Sequence, residues 1–306
     1  MFHQIKKHIY AFQIILVGMI IISCSNNEYD TQENYVDDIN TDETNTVTYA
    51  DIDFSNWKVT LPVDENNNGS PDEYQPNQLI NGGYRTLEAV QPFMYDDTSD
   101  ESIVFYTYPD QSTTNSKYSR TELRELINPN TSKENWTLKD GGTITGKLRM
   151  VEITKDDSSS REYHSTIVMQ IHGIISQEDV ARFNLSSNSA PPLIKMRWID
   201  GDLWVYKKSL VNENTTGDAL YDISSDTWQD EKHNMGYVGY DTFTFRITAS
   251  DAKIELQLND EIPYVYQDIS LQKWPFENYF KAGNYLGTTN ANAYSKVKYY
   301  DLKVTH

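Results

Sequence analysis

The sequence predicts an all-β fold, a jelly-roll β-sandwich of two antiparallel sheets with a concave groove on one face. Three observations carry this. From Asp51 onward short alternating or apolar runs recur between turn-rich polar stretches, and no long amphipathic helix interrupts them. The chain has 306 residues, 38% hydrophobic and 12% aromatic, which is enough for one large core and does not require two domains. Many short strands in one domain of this length close into two packed sheets. The expected strands are Trp57–Leu61, Ile103–Tyr108, Tyr118–Ile127, Thr143–Ile153, Ser165–His172, Leu193–Trp198, Leu203–Tyr206, Thr242–Thr248, Lys253–Leu258, Tyr279–Leu286 and Ser295–Val304.

Ahead of that domain the chain reads differently. Lys6 and Lys7 precede an apolar run, Tyr10 to Ile22, which is short for a bilayer span and fits the core of a signal peptide. The run ends in Ile21-Ile22-Ser23-Cys24, which resembles the lipobox of bacterial lipoproteins, so residues 1–24 are expected to be a signal peptide that leaves Cys24 lipidated. Cys24 is the single cysteine, which removes disulfides, thiolate catalysis and cysteine metal sites together. Residues 25–50 hold seven acids, no basic residue and almost no apolar surface, and are expected to be a disordered tether to a folded domain at 51–306. The implied location is the cell envelope, in the outer membrane facing the periplasm or the cell surface, with the lipid as the membrane contact.

The formal charge of the whole chain is -19, from 26 basic and 45 acidic residues. Taking away the seven acids of the tether and the two lysines of the leader leaves 24 basic and 38 acidic residues, so the domain itself carries -14. That excludes nucleic acid as a partner, because neutralising phosphates needs a basic field. An anionic polysaccharide would need a local positive groove. The 22 tyrosines suit such a groove, since ring faces and hydroxyls meet sugars well.

Along the domain, Asp64-Glu-Asn-Asn-Asn-Gly-Ser-Pro-Asp72 places oxygens at Asp64, Asn66, Asn68 and Asp72 around a glycine, like the first half of a calcium loop. It lacks the bidentate glutamate such loops end on, having Gln75 there, so an Asn/Gly turn competes with a structural calcium site. Asp140-Gly-Gly142 marks a turn and Asp200-Gly201 a tight hairpin.

Three strands carry chemistry. In Tyr118–Ile127, alternation puts Arg120, Glu122 and Arg124 on one face, two guanidinium forks around a carboxylate that can orient them. In Ile167-Val-Met-Gln-Ile-His172 it puts Ile167, Met169 and Ile171 on one face and Val168, Gln170 and His172 on the other. In Tyr279-Phe-Lys-Ala-Gly-Asn-Tyr285, Tyr279, Lys281, Gly283 and Tyr285 share a face, with Gly283 leaving room for a ligand. Each alone has a structural explanation. Together they supply what is needed to remove a proton next to a carboxylate. Arg120 and Gln170 neutralise the carboxylate of a uronic acid so that charge can build on it. His172, with an ordinary pKa of about 6.5, is the natural base; Tyr285, near 10, is the natural acid, and a base only if cations such as Arg124 or Lys281 depress it.

Arg120-Thr-Glu-Leu-Arg124, Gln170-Ile-His172 and Tyr279-Phe-Lys-Ala-Gly-Asn-Tyr285, in this order, resemble the three signature blocks of the family 7 polysaccharide lyases, the jelly-roll alginate lyases. Trp57-Lys-Val-Thr-Leu-Pro62 and Val297-Lys-Tyr-Tyr-Asp-Leu302 resemble its first and last strands, so the likeness spans 51–306. It implies β-elimination on alginate without a required cofactor, giving 4,5-unsaturated uronate ends. It implies catalytic roles for Arg120, Gln170, His172 and Tyr285, and groove roles for Arg124 and Lys281. Isoleucine at 171 tends in that family to accompany action on guluronate-containing stretches. One departure is Gly287, where the family commonly has a glutamine. Glu122, Tyr279 and Arg197 are taken as further substrate contacts, and a monomer is expected. Two other readings are a non-catalytic polysaccharide-binding sandwich, against which the intact acid and base weigh, and a glycoside hydrolase. The latter needs a carboxylate pair that Glu122 does not find on its strand.

Overall fold

The structure, a computed structural model, describes residues 47–306. The expected signal peptide with Cys24, and the tether up to residue 46, lie outside the described residues. The strands are β1 (Asp51–Ile52), β2 (Trp57–Thr60), β3 (Glu73–Tyr74), β4 (Met94–Asp97), β5 (Ser102–Thr107), β6 (Arg120–Glu125), β7 (Gly142–Ile153) and β8 (Thr166–Ile174). They continue as β9 (Ser189–Ile199), β10 (Asp202–Leu210), β11 (Trp228–Tyr237), β12 (Phe243–Ser250), β13 (Lys253–Leu258), β14 (Tyr264–Tyr266), β15 (Glu277–Leu286) and β16 (Ser295–Thr305). Three α-helices, α1 (Pro76–Leu79), α2 (Gln177–Arg182) and α3 (Ile269–Gln272), are one or two turns long.

These strands form two sheets. One runs β14-β13-β12-β7-β16-β5-β4, with the short β1 added parallel to β16. The other runs β11-β10-β9-β8-β15-β6-β2-β3 and is antiparallel throughout. Their facing sides bury one continuous core that includes Phe105 and Tyr299 from the first sheet and Leu123, Met169, Trp198 and Phe280 from the second. The predicted jelly-roll sandwich is therefore the observed fold. Asp200 and Gly201 both have positive φ, 50° and 92°, as the two-residue β9–β10 hairpin requires.

Every expected strand has a counterpart; of the five not expected, β1, β3, β4 and β14 are only two to four residues long, and β11 is the long one. β11 is an edge strand, bonded only to β10, and its central residues Gln229 to Asn234 are all polar. With one side open to water it has no apolar alternation to read. The Asp64–Asp72 loop closes on itself. Asp64 accepts from the backbone N–H of Asn68 (2.9 Å) and Gly69 (2.8 Å), and Asp72 accepts from Glu65 N (3.0 Å) and the Asn66 side-chain amide. Asn68 Oδ1 accepts from Ser70 N at 2.9 Å. The oxygens expected to face a cation are thus turned to the loop's own donors, the arrangement of an Asx turn. Among the described residues no group of three or more His, Cys, Asp and Glu is placed to hold a metal.

One core contact makes stability depend on pH. Glu125 points away from the groove and accepts from Trp136 Nε1 (3.1 Å), Phe280 N (2.8 Å) and His306 Nε2 (2.6 Å). His306 Nδ1 lies 2.9 Å from the Gly141 carbonyl oxygen. Both neighbours of the ring accept only, so the ring carries both protons. Burial works against that charge, but the hydrogen bond and charge of Glu125 outweigh it and raise the His306 pKa. A raised folded-state value stabilises fully below about 6.5 and is lost as pH climbs through it. His306→Ala should therefore cost about 1–2 kcal/mol near pH 6, a fall of about 3–6 °C in melting temperature. The gap to the parent should narrow on the alkaline side; a gap that stays constant with pH would show that the imidazolium is not what matters.

Candidate active site

Three neighbouring strands of the second sheet build the site, and their register decides what meets what. Lys281 of β15 lies between Arg124 of β6 and Gln170 of β8, Tyr279 lies beside His172, and Tyr285 lies between Arg120 and Ile167. The outward face of these strands floors a cleft of about 510 Å³. It is lined by Arg120, Arg124, Gln170, His172, Tyr279, Lys281 and Tyr285, with Arg197 at the β9 end and Lys58 and Thr60 at the β2 end. The loop before β6 and the segment leading into β9 stand over it, and Asn115 and Ser187 touch across the gap at 3.4 Å.

Beneath the cleft lies Glu122, fully buried. It accepts from Gln170 Nε2 at 2.5 Å, Arg120 Nη1 at 3.3 Å and the Lys281 ammonium. Burial alone would raise its pKa, but Lys281 and Arg120 outweigh that and hold the carboxyl below its ordinary value. Glu122 is thus a support for groups that face substrate and is absent from the cleft lining. Arg124 is not held by it, against the simple alternation argument. It donates to Ser132 O (3.1 Å) and Asn135 Oδ1 (2.9 Å), with its guanidinium carbon 4.1 Å from the Tyr279 ring centroid. Arg120 Nε and Arg124 Nη1 are buried without hydrogen-bond partners, while both side chains line the cleft.

The surroundings of His172 fix its tautomer. Its Nδ1 lies 2.8 Å from the Gly173 carbonyl, which can only accept, so Nδ1 carries the proton and Nε2 keeps its lone pair. Its ring stacks on Tyr279 at 5.2 Å and 13°. Burial first, then the charges of Lys281 and Arg120, push its pKa down to about 3, so the ring is neutral at ordinary pH. Lys281 is lowered to about 8, by burial more than Glu122 can offset. At the other end, Tyr285 lies under the Arg120 guanidinium at 4.0 Å, and its hydroxyl is 2.5 Å from Ser116 Oγ. Arg120, not Arg124 or Lys281, is the cation over the phenol ring.

Two alternation readings need correcting. Val168 is in the core and Ile167 lines the cleft, the reverse of the expected faces. The cause is a bulge: the β8–β9 register slips between Ile167 and Met169, and β15 sets two residues, Gly283 and Asn284, opposite Val168. Gly283 does not make room for a ligand. It has φ 141°, and a Cβ there would meet Thr121 O at 2.6 Å, so glycine is required by the approach of β6. Ile171 lies in the core and touches no substrate space, so any effect on specificity passes through packing. At Gly287 a Cβ would stand 2.8 Å from Ser165 Oγ, 2.9 Å from Ser165 O and 3.1 Å from Arg197 Nη2, so Ser165 closes the position and Arg197 lies beside it. Ser116, Lys58 and Lys195 line the cleft in addition to the residues expected from sequence. Ser116 is on a loop with no periodicity, whereas Lys195 sits two residues before Arg197 and shares its face.

The comparisons agree with this geometry. A family model described as alginate lyase matches residues 52–306. An alginate lyase from Klebsiella pneumoniae is 23% identical over 295 residues, covering 83% of this chain and 90% of that protein. The crystal structure of alginate lyase A1-II', described as a member of polysaccharide lyase family-7, is 26% identical with a TM-score of 0.63, covering 83% of this chain and 96% of that one. A complex of that enzyme with product (GGG) is similar at 25% identity and a TM-score of 0.64, covering 85% of this chain and 100% of that one. The match runs through every strand that carries the cleft, and the chain belongs to the alginate lyase family, within polysaccharide lyase family 7.

Proposed function

We propose that the cleft cleaves the 1,4 bonds of alginate by β-elimination, favouring guluronate-containing stretches. The observation that carries this is a neutral His172 with Nε2 free, at the opposite end from Tyr285 and Arg120 of a face whose middle holds Gln170 and Lys281. A uronate laid across that face has its carboxylate among donors, a base at one end and a phenol at the other. Arg120 and Lys281 draw charge onto the carboxylate as the C5–H bond breaks, and the Gln170 amide steadies it. The C5 electrons form the C4–C5 double bond, and the C4–O bond breaks as its oxygen takes a proton from Tyr285. Ser116 gives its own proton to Tyr118 O at 3.1 Å, so the Tyr285 hydroxyl donates to Ser116 Oγ. When Tyr285 loses its proton, Ser116 has only to rotate to donate to the phenolate. The guluronate preference is supported by the relatives, since the A1-II' enzyme was captured with a GGMG substrate and a GGG product.

Stereochemistry separates the two proton carriers. In mannuronate the C5 proton and the C4 oxygen lie on one side of the ring, where Tyr285, if it enters as the phenolate, can take the first and pass that same proton to the second. In guluronate they lie on opposite sides, so His172 is needed as base. Tyr285→Phe should therefore abolish the near-ultraviolet absorbance of unsaturated products on both polymers. His172→Ala should cost guluronate activity more, by about 10²-fold. Equal losses on both substrates in a protein of unchanged melting temperature would leave His172 a positioning role only. Products lacking the chromophore and heavier by one water would mean a hydrolase.

The pH profile follows from Lys281. With His172 neutral above about pH 3 and Lys281 charged below about pH 8, kcat/KM should fall as pH rises past about 8. Lys281→Met should lower the plateau and remove that limb; an unchanged limb would assign it to another group. We also propose that the protein is an envelope lipoprotein anchored through Cys24. Cys24→Ala should move it from the membrane fraction to the soluble one with its activity intact, and an equally soluble parent would rule the anchor out.

A further inference from the structure

The cleft crosses the strands, since its lining comes from β2, β6, β15, β8 and β9 in turn. It reaches β9 at Lys195 and Arg197, and the same face of the sheet continues beyond them. Register sets Lys195 beside Tyr206 of β10 and Lys232 of β11, and Arg197 beside Trp204 and Asn234. Lys195, Arg197 and Lys232 carry their charges 5.6, 5.1 and 5.1 Å from the Tyr206 ring centroid. Lys208 is next on that face and shares Asp230 with Lys195, at 3.0 and 2.7 Å. Asp202, held by Asn234 at 3.2 Å, is the other carboxylate on this face.

Four cations thus face two carboxylates in a domain whose overall charge is strongly negative. Among the described residues neither Arg197 nor Lys232 is in an ion pair, and Arg197 Nε is buried with no hydrogen-bond partner. Arg161 lies near enough to add its repulsion to Arg197. Gathering like charges in this way costs stability unless an anion offsets it.

We propose that β9, β10 and β11 continue the cleft as a second binding strip, in which Lys195, Lys208 and Lys232 around Tyr206 take the carboxylates of sugars beyond the one that reacts. This rests on the reading of the cleft as a uronan site. Strands in a sheet are about 4.8 Å apart, so β15 to β11 is about 19 Å. A 1,4-linked sugar advances by a comparable step, so a chain crossing the sheet lays about one residue over each strand. Counted from β15, only chains that extend four or more residues past the reacting sugar meet Lys232. Long polymer should then bind through contacts that a trisaccharide cannot make.

The test uses the double variant Lys208→Gln/Lys232→Gln, neither residue being part of the catalytic face. KM for polymeric alginate should rise about five- to tenfold, with kcat/KM on trisaccharide within twofold of the parent. The difference should shrink at 1 M salt, where the screening length is about 3 Å. Equal losses on polymer and trisaccharide, or none on polymer, would overturn the strip. A single Lys232→Glu variant, at an exposed position, guards against misfolding and should give the same polymer-only loss with an unchanged melting temperature. Calorimetric binding of polymeric alginate in a Tyr285→Phe background separates the two readings. Tighter binding by the lysine form when the unvaried protein eliminates nothing would keep the strip and sink the lyase reading, and equal binding by both forms would sink the strip.

Discussion

The carboxylate of Glu122 is shut off from water beneath the cleft, and the arrangement of the site depends on what meets it there. A buried charge left without partners costs about 3–5 kcal/mol, so it compels nearby donors to converge. Gln170, Arg120 and Lys281 do so, each from a different strand. The convergence fixes the side chains as well as balancing the charge. An arginine and a lysine on the surface would sample many rotamers, whereas these two are held by one anion and both line the cleft. Two cations against one anion leave a positive excess, which also helps keep His172 neutral. Burial thus acts on both, strengthening the cluster and keeping His172 neutral.

A second constraint comes from the opposite sheet. Tyr299 of β16 accepts from Gly283 N at 3.1 Å and donates to the Val168 carbonyl, so one hydroxyl fastens the irregular stretches of β15 and β8 together. Those irregularities bring Ile167 and Tyr285 side by side in the cleft. Asn284 secures the other side of the bulge. Its amide donates to Phe105 O and Ser295 O, both at 2.9 Å, and its oxygen accepts from Thr166 and Ser295 hydroxyls, both at 2.7 Å. With its donors and acceptor all used, it ties both sheets at the place where Tyr285 leaves the core. The aim of Tyr285 into the cleft is thus set by groups buried between the sheets.

The acidity of the domain and the polyanion it acts on are reconciled by sheet geometry. Strands present alternate residues to opposite faces, so a net charge of one sign is compatible with a face of the other. The cleft sheet gathers cations from β2, β6, β15 and β9 on its outward side. Many of the acids lie elsewhere, in the loops between strands.

What the sequence alone determined was everything that follows from a period of two. Alternation located the strands, and with them the face shared by Arg120, Glu122 and Arg124, by Gln170 and His172, and by Tyr279, Lys281 and Tyr285. The order of those blocks carried the likeness to a family of lyases, which the fold and the family match agree with. The tertiary structure decided what alternation cannot express. It sent Val168 inward and Ile167 outward, because a bulge breaks the period within the strand. It also gave Glu122 to Lys281 and not to Arg124, and brought Ser116 169 residues along the chain to Tyr285. Pairings of that kind depend on register and on loop closure between distant segments. A local pattern holds no record of either, since the same alternating run fits many neighbours until packing selects one.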